Sequence, residues 1–408
     1  MRAFASIVVA VATGPAFGQL GPLVPPAGPI SDTGPDLSQL VTQVQTAADA
    51  RIVVDGVNTP GNATNLFRIT QPGSYYLTGN IEFQPGDAGK NAIEIMSDDV
   101  TLDLNGFTID GNGISQSGVW TNGNGPDRLA VFNGNIIETG KWAVGLFGES
   151  NRIVDLHVEQ TGSGFAGIAV GEESIVDRCT VRNSGASGIS VGFRSAVSRS
   201  NVDTTVFSGI ALSNSCRVVD SVVFNAGSNG IQLNTDCIAV RCAVRQSGFT
   251  GITVVTGSIA DSCTSFLNAN SGFVISGDGI VRGCSSRDND AHGIECSTAG
   301  AMIENNRVSN NDGDGIRLAG LCVATGNSVS NSGGAGIYMN GVANRVDSNM
   351  VFSNPVGIEQ AVPGSMGNVV TRNVAANNTT NYMVTSASNF FAVTTDPGTA
   401  GPMDNVAQ

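Results

Sequence analysis

A glycine followed by Leu, Ile or Phe returns at Gly145, Gly167, Gly188, Gly209, Gly230, Gly251, Gly272, Gly293, Gly315, Gly336 and Gly357, every 21 to 22 residues. No helical spacing of apolar residues accompanies this period. A unit so short cannot bury an apolar face alone and must stack on its neighbours, which makes the chain a solenoid. Within a unit, apolar residues alternate in short runs broken by polar corners, as in Val176, Cys179-Thr180-Val181, Asn183 and Gly188-Ile189-Ser190-Val191. That pattern predicts about three short parallel strands per coil, joined by turns.

The corners carry their own signals. Asn stands four or five residues before the glycine at Asn183, Asn225, Asn268, Asn289, Asn310 and Asn331. Asn tolerates the left-handed backbone that a sharp bend requires, and its amide can bond along the stack. Glycine at the next bend needs no room for a Cβ. Ala92–Ile95 and Leu102–Gly111 read as the first coils, slightly out of register with the rest. The segment Asp36–Ala50 differs: Leu37, Leu40, Val41, Val44, Ala47 and Ala48 follow helical spacing with Asp36 as N-cap. A short capping helix there would cover the open edge of the first coil. Tyr382, Phe390 and Phe391 would close the other end. The expected fold is an all-β parallel β-helix of about 13 coils, roughly 60 Å long at ~4.8 Å per coil.

Residues 1–18, with Arg2, an apolar run from Ala3 to Ala12 and Ala16-Phe17-Gly18, have the layout of a signal peptide. Residues 19–36, with Pro22, Pro25, Pro26, Pro29 and Pro35, read as a flexible spacer, 37–395 as the solenoid domain, and 396–408 as a C-terminal tail. Export to the periplasm or the cell exterior is expected. No other apolar stretch reaches the roughly 18 to 20 residues of a membrane span. The formal net charge of −14 argues against nucleic acid and anionic membrane surfaces as partners. An anionic polysaccharide stays compatible if Arg is concentrated locally.

Eight cysteines in an exported chain suggest disulfides. Their register suggests otherwise. Cys179, Cys242, Cys263 and Cys284 lie nine residues before their glycine, and Cys216, Cys237 and Cys322 seven after it, sharing those columns with Ser, Asn and Ala. Cys296 occupies a column of Val, Leu and Ile. Buried free thiols are the expectation, with a Cys216–Cys237 bond within the geometric range of neighbouring coils.

The run GSYYLTGNI (Gly73–Ile81), then LDLNGFTIDG (Leu102–Gly111), then the G-I coils with V-x-x-C/N-x-V between them resemble the exported right-handed parallel β-helix repeat proteins of planctomycetes and related bacteria. More broadly they are similar to the pectate-lyase-like superfamily, from about Val53 to Tyr382. Right-handed winding is implied by this resemblance alone. It also implies a glycan-related role: a non-catalytic glycan-binding or extracellular structural protein, or else a polysaccharide lyase or related carbohydrate-active enzyme.

Enzymes of this superfamily gather carboxylates around Ca²⁺ or pair two carboxylates across a glycosidic bond. The densest acidic cluster is Arg287–Gly293 with Asn310–Gly315, whose register stacks Asp290 on Asp312 and His292 on Asp314. Asp290, Asp312 and Asp314 could hold Ca²⁺ through oxygen ligands. The alternative is a hydrated corner where Asp, Asn and Gly favour bends; no cofactor is required. His292 in A-H-G-I and Arg317 in G-I-R-L are similar to the G-H-G and R-x-K elements of polygalacturonases, but Leu318-Ala319 replaces the lysine and the paired Asp is missing. Both tryptophans fall between Gly111 and Val144, where the coil spacing swells. Trp120, Arg128, Lys141 and Trp142 are therefore the candidate saccharide contacts, or else wall packing. The two-residue corners Asp177-Arg178, Ser198-Arg199 and Asp261-Ser262 mix charges as a solvated face does.

Overall fold

The computed structural model describes residues 51–361, 366–384 and 389–408. The expected signal peptide, spacer and capping helix lie outside the described residues. The described chain is an all-β solenoid whose strand pairings in the walls are all parallel. One coil is Ile168–Val170, Ile175–Asp177 and Thr180–Ser184, and each strand adds to a different wall. The first wall is a 15-stranded sheet from Asn65–Ile69 to Thr380–Met383. The second and third walls join into one 30-stranded sheet, because Ala130–Thr139 and Arg152–Thr161 run straight through both.

Fifteen first-wall strands exceed the expected 13 or so coils because the first coils are longer and lack the G-I signature. Phe67 pairs with Ile93, Ile93 with Val119, Val119 with Val144 and Val144 with Ile168, before the shorter period sets in at Ile189 and Ile210. At the far end, Asn405–Ala407 pairs with Val374–Ala376, so the wall continues into the segment expected as a tail.

Gly145 does not belong to the glycine file. It pairs with Ala169, so Ala143 takes the place equivalent to Gly167, and Gly118 precedes Ala143 in the file. The reason for glycine is steric. A Cβ on Gly188 would come within 2.3 Å of Val202 Cγ1 and 2.8 Å of the Gly209 carbonyl, and Gly118 faces Ile136 in the same way. The glycine lets the first wall close onto the valines lining the third.

The left-handed corners belong mainly to other residues: Asn183, Thr204, Asn225, Gln246, Leu267, Asp288, Asn310 and Asn331 have φ near +55°. The single Asn column of the sequence thus splits in two. Asn268, Asn289 and Asn311 occupy the next position, buried, where the Nδ2 of one donates to the Oδ1 of the next at 2.8 Å. Inside, Ile168, Ile189, Ile210, Ile231, Ile252, Phe273, Ile294 and Ile316 form one fully buried file.

All eight cysteines are free and buried. Seven sit in corner files, and three of them accept backbone amides: Cys216 Sγ receives the Ser195 amide and Cys237 Sγ the Cys216 amide, each at 3.4 Å, and Cys284 Sγ the Cys263 amide at 3.3 Å. Cys296 packs inside as a hydrophobe. The corners between the second and third walls form an ion-pair ladder, with Arg178 on Asp155, Arg241 on Asp220 and Arg372 on Asp347. Asp347 is nearly fully buried between Arg345 and Arg372. The Arg372 guanidinium, more than any other group, lowers its carboxyl pKa to about 2.

Two outcomes follow from this packing. Gly209→Ala, whose Cβ would meet Val223 Cγ1 at 2.2 Å, should cost about 2 kcal/mol or more. Gly79→Ala, with nothing within 4 Å, should leave the melting temperature unchanged. A carboxyl whose folded pKa lies below its unfolded value stabilises the fold above the unfolded pKa of ~3.9 and loses that contribution as pH falls toward the folded value. Asp347→Asn should therefore cost about 1 kcal/mol at neutral pH, allowing for its exposed arginine partners. Near pH 2 the variant and the parent should have the same urea midpoint.

Candidate functional site

Side chains alternate along a strand, so each three-residue strand of the first wall turns its middle residue outward. Stacked in register, these residues make one outward file: Arg68, Glu94, Trp120, Gly145, Ala169, Ser190, Ala211, Gln232, Thr253, Val274, Glu295, Arg317, Tyr338, Glu359 and Met383. Its middle is small and neutral. Both ends are charged and aromatic.

At the N-terminal end, Glu94 is buried and accepts hydrogen bonds from Asn65 Nδ2 at 2.8 Å and Arg68 Nε at 2.9 Å. Beside it opens a cavity of about 360 Å³ lined by Glu94, Ile95, Met96, Asp98, Asn122 and Pro126. Trp120 follows Glu94 in the file, and its indole Nε1 is buried without a protein acceptor. Arg128 sits at the neighbouring corner, where its guanidinium binds Asp99 at 2.7 Å and Asp98 at 3.2 Å.

Lys141 and Trp142 lie apart from that cavity. Lys141 Nζ donates to Gln116 at 2.8 Å, and Trp142 packs edge-on against Phe165 and Phe147 at centroid distances of 4.6 and 5.3 Å. The four candidates therefore divide: Trp120 and Arg128 flank a cavity, while Lys141 and Trp142 pack the wall.

The C-terminal end is the denser site. Glu295, Arg317, Tyr338 and Glu359 stand on successive coils, with Arg317 5.1 Å from the centre of the Tyr338 ring. Glu295 accepts from Ser271 Oγ at 3.0 Å. Asp314 is buried; one carboxylate oxygen receives the Ala335 amide at 3.0 Å and the other faces Arg317 at 3.3 Å. The Asp314 amide donates to His292 Nδ1 at 2.9 Å, which assigns the proton of the neutral ring to Nε2. Burial, and after it the negative charge of Asp314, raises the carboxyl pKa of Glu359 above its ordinary value.

Of the proposed calcium ligands, Asp314 is thus engaged by the protein, while Asp290 and Asp312 are exposed at a corner. Among the described residues no group of three His, Cys, Asp or Glu is placed to hold a metal ion. The corner keeps His292 beside Asp314, as the register of the sequence expected. Glu94, Glu295, Tyr338 and Glu359 were not singled out from the sequence. Their signal was present: the last three are each the third residue of a G-I-x triplet.

This arrangement offers acceptors, one guanidinium and one aromatic ring along a shallow line. Sugars need that mixture, since a pyranose has an apolar face and a rim of hydroxyls. His292 Nε2–H and the Tyr338 hydroxyl are proton-bearing groups close to that line.

A profile described as "Right handed beta helix region" matches residues 197–325. No curated protein sequence matches the chain. Among solved structures, the A-module of mannuronan C-5 epimerase from Azotobacter vinelandii superposes with a TM-score of 0.50 at 13% identity, over 78% of this chain and 90% of that one. A mutant of a periplasmic alginate epimerase gives 0.41 at 12% identity, over 83% and 82%. A tailspike mutant of Escherichia coli bacteriophage HK620, solved with a pentasaccharide, gives 0.42 at 14%, over 86% and 69%. Profile and fold together fit a right-handed parallel β-helix.

Because the Asp314 charge helps to hold the Glu359 proton, Asp314→Asn should lower the Glu359 pKa, seen as an earlier carboxyl titration by ¹³C NMR. An unmoved titration would leave burial as the sole cause.

Proposed function

We infer that this is a secreted glycan-binding protein whose first wall binds polysaccharide along its outward file. The observation that carries this reading is the run Glu295, Arg317, Tyr338, Glu359, which places acceptors, a guanidinium and a ring at one-coil intervals on a single face. The composition supports it: a chain with net charge −14 places an arginine here, beside Tyr338. Export rests on the amino-terminal sequence. The fold is shared with a mannuronan C-5 epimerase, a protein named for its action on a polysaccharide.

A second reading, a polysaccharide lyase or related carbohydrate-active enzyme, is favoured by one specific feature. His292, Asp314, Arg317 and Tyr338 put an imidazole, a carboxylate, a guanidinium and a phenol on three successive coils. Such a set can neutralise a carboxylate and move a proton.

Affinity electrophoresis in gels carrying alginate, polygalacturonate or a neutral glucan tests binding. Retardation of the parent should fall about tenfold in Arg317→Ala, which removes a charge-assisted contact, at a temperature where melting shows the variant, with Asp314 unpaired, still fully folded. Incubating the same polymers with the protein, with calcium or with a chelator, tests the enzyme reading. Ultraviolet-absorbing unsaturated ends would replace the binding-only reading with a lyase; absence of retardation on every polymer would remove both.

A further inference from the structure

The outward face of the third wall carries a feature that the first-wall reading does not use. Phe224, Arg245, Phe266 and Arg287 occupy one outward file on successive coils. The Arg245 guanidinium lies 5.5 Å from the Phe224 centroid and 5.6 Å from that of Phe266, and Arg287 lies 4.3 Å from Phe266. Arginine stacked between rings is preorganised, since its rotamers are already restricted. Arg287 also pairs with Asp288. Arg245 makes no ion pair among the described residues, unlike the corner arginines Arg178, Arg199 and Arg241. Glu159, Arg182 and Asp203 precede Phe224 in this file, so between Glu159 and Arg287 three arginines stand with two carboxylates on a chain of net charge −14.

Next to this file, at the corner leading to the first wall, Phe207, Ser228 and Phe249 hold the same place on successive coils, linked by backbone hydrogen bonds. Phe207 is 54% exposed and Phe249 53%. Val206 and Leu267 are exposed on the same stretch of coils. Phe207 and Phe249 with Val206 and Leu267 make an exposed apolar cluster on adjacent coils, the kind of surface that serves contacts. The two rings are two coils apart, ~9.6 Å at the strand spacing of a sheet. An extended β-(1,4)-linked polysaccharide with two-fold screw symmetry turns the same ring face in one direction every second sugar, at a disaccharide repeat of similar length.

We propose that the strip formed by Phe207, Phe249 and Arg245 is a second carbohydrate surface, binding an extended acidic β-(1,4)-linked polysaccharide parallel to the solenoid axis. Phe207 and Phe249 stack on alternate sugars, and Arg245 pairs with a carboxylate of the polymer. The proposal is separate from the first-wall reading: the two surfaces share no residue.

The test measures binding of polymannuronate, with a neutral β-(1,4)-glucomannan and dextran beside it, in the Arg317→Ala background so that a first-wall contribution is reduced. Phe249→Ala and Arg245→Gln should each weaken polymannuronate binding about tenfold. Arg245→Gln should also flatten the salt dependence. The decisive variant moves one ring by one coil: Phe249→Ser with Ser228→Phe keeps two exposed rings but sets them ~4.8 Å apart. It should bind as weakly as Phe249→Ala. Binding equal to the parent in that variant, or in Arg245→Gln, would overturn the proposal. So would sedimentation as a dimer that Phe207→Ala with Phe249→Ala dissociates, since the strip would then be covered by a second copy of the chain. Phe207, Arg245 and Phe249 are exposed and Ser228 is half-buried, and unchanged melting relative to the Arg317→Ala background separates lost binding from lost fold.

Discussion

The whole molecule depends on how its corners satisfy their backbone amides. A strand ladder pairs the N–H and C=O groups of a coil along the walls and at part of each corner. Where the peptide turns away from the stack, an inward-facing N–H would be buried without a partner, at a cost of about 1 to 3 kcal/mol. Here a side chain of the following coil accepts it. The Leu129 amide goes to Asn151, that of Asn151 to Ser174, that of Ser174 to Ser195, and so through Cys216, Cys237 and Ser258. A second file runs from Cys179 to Ser200 and Ser221, and later from Cys284 through Asn306, Asn327, Asn349 and Asn373 to Asn405. Oxygen and sulfur serve the same role. That is why Cys, Ser and Asn interchange in these columns and why the thiols need no disulfide.

Register follows from these files. A slip of one residue would misplace a buried acceptor at every corner at once, besides turning the apolar file of Ile189, Ile210 and Ile231 to solvent. With the inward and corner positions so constrained, only the outward files are free to differ from coil to coil. On the first wall that freedom yields Ala169, Ser190 and Ala211 in one stretch and Glu295, Arg317 and Tyr338 in another. On the corner between the second and third walls it yields arginine paired to aspartate across successive coils, which neutralises itself. A file that leaves an arginine beside a ring, as at Arg317 and Arg245, is chemically different from one that cancels its own charge.

Much of the architecture was legible in the sequence because the period is strict. Gly167, Gly188 and Gly209 announce a site where two walls meet, and the coil register derived from them correctly stacked His292 on Asp314. Legibility failed where the coil length changes. Gly145 looks like a member of the glycine file but lies two residues off it, because Val144 pairs with Ile168 and the true small residue is Ala143. The asparagines were read as one column because left-handed corner and interior amide occupy adjacent positions, and coil lengths of 21 and 22 blur them. Composition makes tryptophan and aspartate conspicuous without saying which face they serve: Trp142 spends its faces on Phe147 and Phe165. Asp314 shares a cluster in sequence with Asp290 and Asp312, yet it points to Arg317 and a backbone amide. Which face a residue serves is a property of its column, and only the pairing of strands defines the column.

The same strictness bears on what such a surface can bind. Coils of nearly constant length leave no long loops between Gly167 and Gly357 to wall a deep cleft, and a small ligand needs concavity to lose most of its hydration. A polymer does not. It can lie along a shallow file and sum many weak contacts, since once one sugar is held the next is already at high effective concentration. A solenoid repeats its surface at the strand spacing of ~4.8 Å, and an extended glycan repeats at a comparable step, so register along one can be kept along the other. On the proposed reading, the rigidity imposed by the corner files would make a flat surface selective: its rings and guanidinium groups keep fixed spacings, and a chain of the wrong repeat would fall out of step within a few coils.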